Sequence, residues 1–374
     1  MAYQSLSVTK VHEDKDILKL GLFSKGASAY HFTNYRLPAQ RHLLLSKLRE
    51  LQATGELHFY FNDGYTEIGR RLINLLFLSS IALRVQFVFS GETSALHMPH
   101  ILDRVSTSRR IVHLGLRLIS LEDSFVSEIA SALMTNSSVQ SFEYSLIDSD
   151  FYFPRAFVDL LSRSTNIRAF TTGMACEFSN TDNLSEAIRT NALRVKKLHL
   201  RLITHPGHSA ERLLHALIYN TKIQDLALKR GDFGTQAYII AARIFRKNTA
   251  LRRVSFRGNF GIVALAEDVL DLFDAIAGNT TVTFFDFSGN MYARHDFVYD
   301  KFFELFNTNR TLKRLITDIH VLRLKRIDIS RNGALLAVTA YGNPTVHAFR
   351  AVTDRNNHNR ALRKTLLASL FFLP

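Results

Sequence analysis

Three basic side chains recur at a constant interval in the second half of the chain. Arg201, Lys229 and Arg257 stand 28 residues apart. Guanidinium and ammonium groups held in a row bind carboxylates and phosphates through charge-assisted hydrogen bonds. The chemistry that this column predicts is recognition of an anionic partner, provided that the fold brings the three positions into register.

Further basic residues surround this column in the sequence. The candidate binding residues are, in chain order, Lys196, Lys197, His199, Arg201, Lys229, Arg252, Arg253, Arg257, Lys313 and Arg314. A formal net charge of +14 and a pI near 9.9 indicate an acidic protein, nucleic acid or an anionic membrane face as the partner. The alternative is a solvated face of a basic protein, partly neutralised by Asp225 and Asp286.

Residues suited to metal or nucleophilic chemistry are sparse. His97 with His100 and His205 with His208 form two pairs, but no carboxylate or cysteine cluster completes a site, so we expect loop residues and neither metal nor cofactor. Neither a Gly-x-x-x-x-Gly-Lys phosphate loop nor a His-Glu-x-x-His motif is present. Cys176 follows a predicted strand and is expected to pack inside. The sequence therefore predicts a protein without enzymatic activity.

One short apolar pattern recurs around the basic column. The pattern, apolar-x-x-apolar-x-apolar, begins at Val195, Ile223, Leu251 and Val282. Its central residues are separated by steps of 28, 28 and 31 residues, and they are Leu198, Leu226, Val254 and Phe285. Apolar residues at i and i+2 describe a strand buried on one face, and the spacing of three and four between the strands describes a half-buried helix. A unit of this size cannot bury its own apolar face, so the units must stack.

An asparagine closes the helical run before three of these strands. Asn220, Asn248 and Asn279 stand six residues before the strand centres, which predicts a C-terminal helix cap with left-handed backbone conformation. Counting in both directions predicts strand centres at about 30, 57, 85, 114, 142, 170, 198, 226, 254, 285, 315 and 349. Leu18 and Leu20 are candidates for the first strand, and Phe349 for the last.

The pattern resembles the leucine-rich repeat family, in its ribonuclease-inhibitor-like class, most closely at Asn248–Asn259 and Asn279–Asn290. The resemblance implies an α/β leucine-rich repeat solenoid, a horseshoe with a concave parallel β-sheet and convex helices, with about 11–12 repeats of about 28 residues. On this interpretation residues 1–28 form an N-terminal cap and residues 29–338 the repeat array. Residues 339–374 form the last repeat and a capping helix, the amphipathic run Ala361–Phe372.

The location and type of the protein follow from cysteine content and from a further resemblance. Cys176 is the only cysteine, which favours a reducing compartment, and Met1–Asp16 lacks an apolar signal-peptide core. No apolar run predicts a transmembrane helix, so we expect an intracellular, cytoplasmic monomer.

The degenerate units, abundant Phe and lone Cys resemble leucine-rich repeat effectors that intracellular bacterial pathogens inject into host cells without a cleavable signal peptide. The stretch Leu37–Leu48 resembles the start of an F-box but also fits a convex helix.

These observations predict a non-enzymatic scaffold that binds an acidic protein partner on its concave face. The alternative is nucleic-acid or anionic-lipid binding through the same basic patch. Stacking aromatic residues would favour nucleic acid, and Phe284 is the only aromatic residue near this patch on the predicted concave face. Phosphate-driven binding weakens steeply with salt, which separates the two hypotheses.

Overall fold

Strands with one buried side alternate with helices whose apolar residues recur every three or four positions. The structure, a computed structural model, describes residues 3–10, 16–23, 57–61, 83–89, 93–118, 123–146, 150–172, 177–201, 209–229, 236–259, 266–290, 308–317 and 337–340, with residues 74, 77, 300, 301, 304 and 305. Two compact units are present: Met1–Glu177 with Leu193–Val195 forms unit 1, and Phe178–Ala192 with Lys196–Pro374 forms unit 2. Each unit is described by itself below.

Unit 1 combines a parallel sheet with helices. Its strands are β1 (Tyr3–Lys10), β2 (Asp16–Phe23), β3 (Leu57–Phe61), β4 (Leu83–Phe89), β5 (Ile111–Leu118), β6 (Ser141–Leu146), β7 (Asp150–Tyr152) and β8 (Ala169–Thr172), and β9 (Glu177–Asn180) begins at its boundary. Its helices are α1 (Thr93–Thr107), α2 (Asp123–Thr135) and α3 (Arg155–Arg163). The sheet order is β8, β6, β5, β4, β3, β1, β2, parallel up to β1 and antiparallel between β1 and β2.

Unit 2 repeats the same arrangement. Its helices are α4 (Asp182–Arg189), α5 (Ser209–Leu217), α6 (Gln236–Lys247) and α7 (Ala266–Ala277). Its strands are β10 (Lys197–Arg201), β11 (Asp225–Lys229), β12 (Arg253–Ser255), β13 (Phe284–Asp286), β14 (Arg314–Thr317) and β15 (Ala337–Ala340). These strands lie in sequence order, and each described pairing is parallel. Parallel strands that alternate with helices in an open sheet define an α/β solenoid of the leucine-rich-repeat type, as predicted.

The strand register agrees with the predicted strand centres. In unit 1, Val85 lies opposite Leu114, and Phe142 lies opposite both Leu114 and Phe170. In unit 2 the aligned central residues are Leu198, Leu226, Val254, Phe285 and Leu315. All of these side chains are buried, and full burial of one such side chain is worth about 1.5–3 kcal/mol. The register is therefore set by the apolar positions that the sequence pattern identified.

Phenylalanine fills much of the space between strands and helices. In unit 1 the ring of Phe157 on α3 lies 4.9 Å from Tyr144 and 5.6 Å from Phe142, measured between ring centroids. In unit 2 the ring of Phe245 on α6 lies 5.1 Å from Phe285 on β13. These edge-to-face contacts contribute about 0.5–1.5 kcal/mol each beyond burial, so the abundant Phe has a structural role in the core.

The two ends of the predicted strand series differ from the structure. Leu18 and Leu20 lie on β2, which pairs antiparallel with β1, and β1 is the strand next to β3. The strand β1 was not predicted, because its alternation of polar and apolar residues lies outside the repeat. After β14 the next strand is β15, with Val338 opposite Leu315, and the predicted strand at Phe349 lies outside the described residues. The stretches Leu37–Leu48 and Ala361–Phe372 also lie outside them.

The predicted left-handed helix caps are wrong. Among the described residues other than glycine, Asn191 alone has a positive φ, 56°. The repeated asparagines are instead buried and form a side-chain network, which we call the asparagine ladder: Asn136, Asn220, Asn248, Asn279 and Asn309. Asparagine suits both roles, so the sequence pattern alone did not separate them.

Each ladder asparagine joins its own turn to the preceding repeat. The amide nitrogen of Asn248 donates to the carbonyl oxygens of Leu217 at 2.7 Å and Asn220 at 2.8 Å. Its Oδ1 accepts from the backbone N–H groups of Ala250 and Leu251, both at 2.9 Å. Asn309 makes the equivalent bonds two repeats further on. Carbonyl groups at the end of one helix and N–H groups at the start of the next strand are thus satisfied by one side chain.

We predict that Asn248→Ala lowers the free energy of unfolding by about 2–4 kcal/mol, because it leaves two buried carbonyls and two N–H groups without their side-chain partner. Urea denaturation followed by circular dichroism measures this change. Asn183→Ala is the control, since Asn183 is exposed on α4. A loss no larger than that of the control would show that the ladder does not stabilise the fold.

Candidate anion-binding surface

The sheet of unit 2 has one face that carries no helix among the described residues. Helices α6 and α7 pack on the other face, where Phe245 contacts Phe285 at 5.1 Å and Phe273 contacts Phe287 at 6.4 Å between ring centroids. Because side chains alternate along a strand, the residues between these apolar positions lie on the opposite side. We call this side the open face.

Strand register arranges the open face in three rows. The first row, at the amino ends of the strands, is Lys197, Asp225, Arg253, Phe284 and Arg314. The second row is His199, Ala227, Ser255, Asp286 and Ile316. The third row starts with Arg201 opposite Lys229, and Arg257 follows Ser255 by two positions, as Lys229 follows Ala227. Arg201 and Lys229 therefore end their strands side by side, and Arg257 lies in the turn that follows β12.

Three of the predicted residues lie just outside these rows. Lys196, Arg252 and Lys313 each precede a first-row cation by one residue and are exposed. The guanidinium of Arg252 donates to the carbonyl oxygens of Thr249 at 2.9 Å and Leu251 at 3.3 Å. Its charge is thus held at the turn before β12.

The predicted single patch divides into two bands. The amino-end band consists of Lys196, Lys197, Arg252, Arg253, Lys313 and Arg314, and the carboxyl-end band consists of Arg201, Lys229 and Arg257. Arg253 is the first residue of β12, whereas Arg257 lies in the turn two residues after the end of that strand. Arg252 and Arg253 are therefore at the opposite end of this segment from Arg257. His199 lies between the bands, in the second row.

A hydrogen-bonded pair joins the first and second rows. His199 Nε2 lies 2.9 Å from Asp225 Oδ1, and Arg253 Nε lies 3.5 Å from Asp225 Oδ2. Burial lowers the pKa of His199 despite the contact with Asp225, so the imidazole is neutral at pH 7 and donates to the carboxylate. Burial raises the pKa of Asp225, but the hydrogen bond from His199 and the charges of His199, Lys197 and Arg253 outweigh it and hold that pKa below its usual value.

An arginine pair covers the one aromatic side chain of the first row. The guanidinium carbon of Arg253 lies 4.3 Å from the centroid of the Phe284 ring, and that of Arg314 lies 5.5 Å from it. Contacts of this kind are worth about 0.5–1 kcal/mol at exposed sites. Sequence reasoning noted Phe284 but missed its two cationic neighbours, although the spacing of 31 and 30 residues to Arg253 and Arg314 contained the signal.

Asp286 has a different role from the predicted one. Its carboxylate is buried and accepts hydrogen bonds from Ser255 Oγ at 3.2 Å, the Ser288 backbone N–H at 3.1 Å and Ser288 Oγ at 2.7 Å. These donors come from β12 and from the turn after β13. Asp286 therefore fixes the carboxyl ends of two strands through neutral donors.

A second asparagine pair stabilises the turns that follow these strands. Asn290 donates to the carbonyl oxygens of Phe256 and Phe287, both at 2.9 Å, and accepts from the Asn259 N–H at 2.8 Å. Gly289 has a φ of 74°, and a Cβ atom there would lie 3.3 Å from the backbone nitrogen of Gly258. The close turns require glycine at this place, and they adjoin Arg257 of the carboxyl-end band.

The predicted histidine pairs are placed differently from the expectation. His97 and His100 lie within α1, not in a loop, because Met98, Ile101, Leu102 and Val105 have helical spacing and are buried. His205, His208 and Cys176 lie outside the described residues. In the part of the chain that is described, no group of three or more His, Cys, Asp or Glu side chains is placed to hold a metal ion. No helix in that part is long and apolar enough to cross a membrane.

Comparison with known proteins returns fold-level similarity alone. No family model and no curated protein matches the chain. Leiomodin-1 actin-binding site 2 is 18% identical, with a TM-score of 0.34 over 41% of this chain and 90% of that structure. A protein of Bacteroides fragilis is 10% identical, with a TM-score of 0.44 over 86% of this chain and 92% of that structure. At this level neither structure assigns a family, a partner or an activity to the chain.

The His199–Asp225 pair predicts a pH-dependent stability. Both groups have a lowered pKa in the folded protein, so the unfolded chain binds protons first and the free energy of unfolding falls as the pH falls. The decrease due to His199 begins near its ordinary pKa of about 6.5, and that due to Asp225 begins near about 3.9. The contribution of each group to the free energy of unfolding is lost as the pH falls through the lowered pKa that the group has in the folded protein.

We expect Asp225→Asn to reduce the loss of stability that the wild type shows below about pH 4. Urea unfolding curves at pH values from about 3 to 7 measure this. His199→Gln provides the comparison, since it should flatten the curve at higher pH instead. Identical pH profiles for Asp225→Asn and the wild type would contradict the assignment.

Proposed function

We propose that the open face of unit 2 binds an acidic surface of another protein and that the chain acts as a non-enzymatic scaffold. The observation that carries the proposal is the set of exposed or half-exposed cations that the register holds in two bands on an uncovered sheet face. A partner that brings carboxylates to both bands gains several charge-assisted contacts at once.

Charge repulsion within the bands favours such a partner. Arg201 and Lys229 lie on neighbouring strands in direct register, with about 4.8 Å between the strands. Two like charges at this distance in water repel by about 1 kcal/mol or less. An acidic partner converts this repulsion into attraction, as Asp225 already does for Arg253 within the chain.

The contacts on the open face support binding over catalysis. His199 and Asp225 form a pair of the type that activates a nucleophile. The serines of this face, Ser255 and Ser288, donate to Asp286 instead, and Ser255 lies two strands from His199. The side chains that reach solvent are mainly cations, which attract anionic groups without supplying a general base.

The setting that we propose follows from the sequence. A single cysteine suits a reducing compartment, and the degenerate repeats resemble effectors that bacterial pathogens deliver into host cells. We accordingly place the partner among cytoplasmic host proteins and take the chain to act as a monomer.

Nucleic acid is the second candidate, and the stacked position of Phe284 favours it. An aromatic ring flanked by two arginines is a platform on which a base could stack. Phosphate-driven binding would lose affinity steeply between low and physiological salt. The open face offers this one aromatic side chain among its described first-row residues, which is why we place protein binding first.

We predict that a triple variant, with Glu in place of Arg201, Lys229 and Arg257, no longer captures the partner from a eukaryotic lysate. The bait is the full chain at about physiological ionic strength, with nuclease-treated and untreated lysates. The control carries the same charge reversal at Lys222, Arg243 and Lys247, which are exposed outside the open face. It should retain the partner.

The outcomes separate the two candidates. A discrete protein that is recovered after nuclease treatment, and lost only with the open-face variant, supports the scaffold. Capture that survives the open-face variant overturns it. Recovery that disappears with nuclease moves nucleic acid to first place.

A further inference from the structure

We propose that the amino-end band recognises an extended acidic peptide in polyproline II conformation, with an acidic residue at every third position. The inference rests on the proposed function, since it takes the partner to be a protein. It adds the conformation and the charge spacing of the bound segment.

Basic doublets occur on every second strand of unit 2. Each doublet is the residue before a strand and the first residue of that strand: Lys196 and Lys197 at β10, Arg252 and Arg253 at β12, and Lys313 and Arg314 at β14. The corresponding residues of the intervening strands are Gln224 and Asp225 at β11 and Thr283 and Phe284 at β13. Neighbouring strands lie about 4.8 Å apart, so successive doublets lie about 9.6 Å apart. The backbone positions of the basic doublets therefore recur at a constant interval across the sheet.

A polyproline II helix has nearly the same period. It rises about 3.1 Å per residue with three residues per turn, so every third side chain lies on one edge at intervals of about 9.3 Å. An extended β-strand presents same-side residues about 6.6–6.8 Å apart. Residues i and i+7 of an α-helix lie about 10.5 Å apart. Over the two intervals from Lys197 to Arg314, the side-chain spacing of a polyproline II helix differs from the spacing of the doublets by about 0.6 Å. The spacing of an α-helix differs from it by about 1.8 Å.

The side chains between the doublets select against a uniform polyanion. Asp225 stands between Lys197 and Arg253 in the first row, and its lowered pKa keeps it ionised at neutral pH. A ligand with a negative charge at every step, such as a nucleic-acid backbone, would bring a phosphate close to this carboxylate. A peptide with one acidic residue in three places neutral residues there.

Phe284 supplies the matching apolar contact. It is half-buried and lies between Arg253 and Arg314 in the first row. Aromatic rings on a surface are the usual platforms for proline in polyproline II segments. The first row thus reads cation, anion, cation, aromatic ring, cation, which complements a peptide of the pattern Glu-Pro-Pro repeated.

Fluorescence anisotropy with two labelled peptides of equal composition tests the inference. One peptide is Glu-Pro-Pro-Glu-Pro-Pro-Glu, and the other has three adjacent glutamates followed by four prolines. We expect the patterned peptide to bind the full chain at least about tenfold more tightly, a difference of about 1.4 kcal/mol. An oligothymidine with the same number of charges should bind more weakly than the patterned peptide.

Three variants connect the preference to the first row. Arg253→Ala should weaken binding of the patterned peptide by about fivefold or more. Phe284→Ala should reduce the ratio between the affinities for the patterned and the adjacent-glutamate peptides. Asp225→Asn should tighten binding of the adjacent-glutamate peptide more than binding of the patterned peptide. Arg243→Ala, on an exposed position of α6, is the control and should change neither.

Equal binding of the two peptides, or tighter binding of the oligothymidine, overturns the inference. The result is separable from the proposed function. If the patterned peptide does not bind but a lysate protein is still lost with the open-face variant, the scaffold stands and the spacing inference fails. If, in addition, no lysate protein is lost with the open-face variant, the proposed function fails as well.

Discussion

The fold depends on satisfying the main-chain groups at the end of each helix. A stack of short helices and strands leaves many carbonyl and N–H groups inside the protein, where no water reaches them. In several repeats one side chain of the asparagine ladder satisfies them: Asn248 donates to two carbonyl groups of the preceding repeat and accepts from two N–H groups of its own turn. Because every such side chain bonds to the neighbouring repeat, it fixes where the next strand begins.

The residues of the open face are aligned because the ladder hydrogen bonds set the strand register. Once the start of each strand is fixed, Leu198, Leu226, Val254 and Phe285 align in the core, and the residues between them align on the other side. Charges that are far apart in the sequence become neighbours at strand spacing. The pairing of Asp225 with His199 and Arg253, and the position of Phe284 beneath two guanidinium groups, are consequences of register.

The sequence predicted the parts of the fold that depend on local apolar spacing. Strand positions from Val85 to Leu315 and the parallel α/β class follow from that spacing. The N-terminal hairpin β1–β2 does not, because it interrupts the repeat. The asparagines were identified but assigned to the wrong bond, since a cap and a ladder favour the same residue. The pairing of Asp225 with His199 and Arg253 and the turn of Arg252 toward its own backbone were not predicted, because they depend on side-chain directions that a sequence pattern does not carry.

The central claim is that the open face of unit 2, and not its helical side, meets the partner. Acetylation of lysines, measured by mass spectrometry with and without the captured partner, tests this most directly. The account predicts that labelling of Lys196, Lys229 and Lys313 falls in the complex, whereas labelling of Lys222 and Lys247, which lie outside the open face, does not change. Protection of Lys222 and Lys247 with continued labelling of the other three would contradict it.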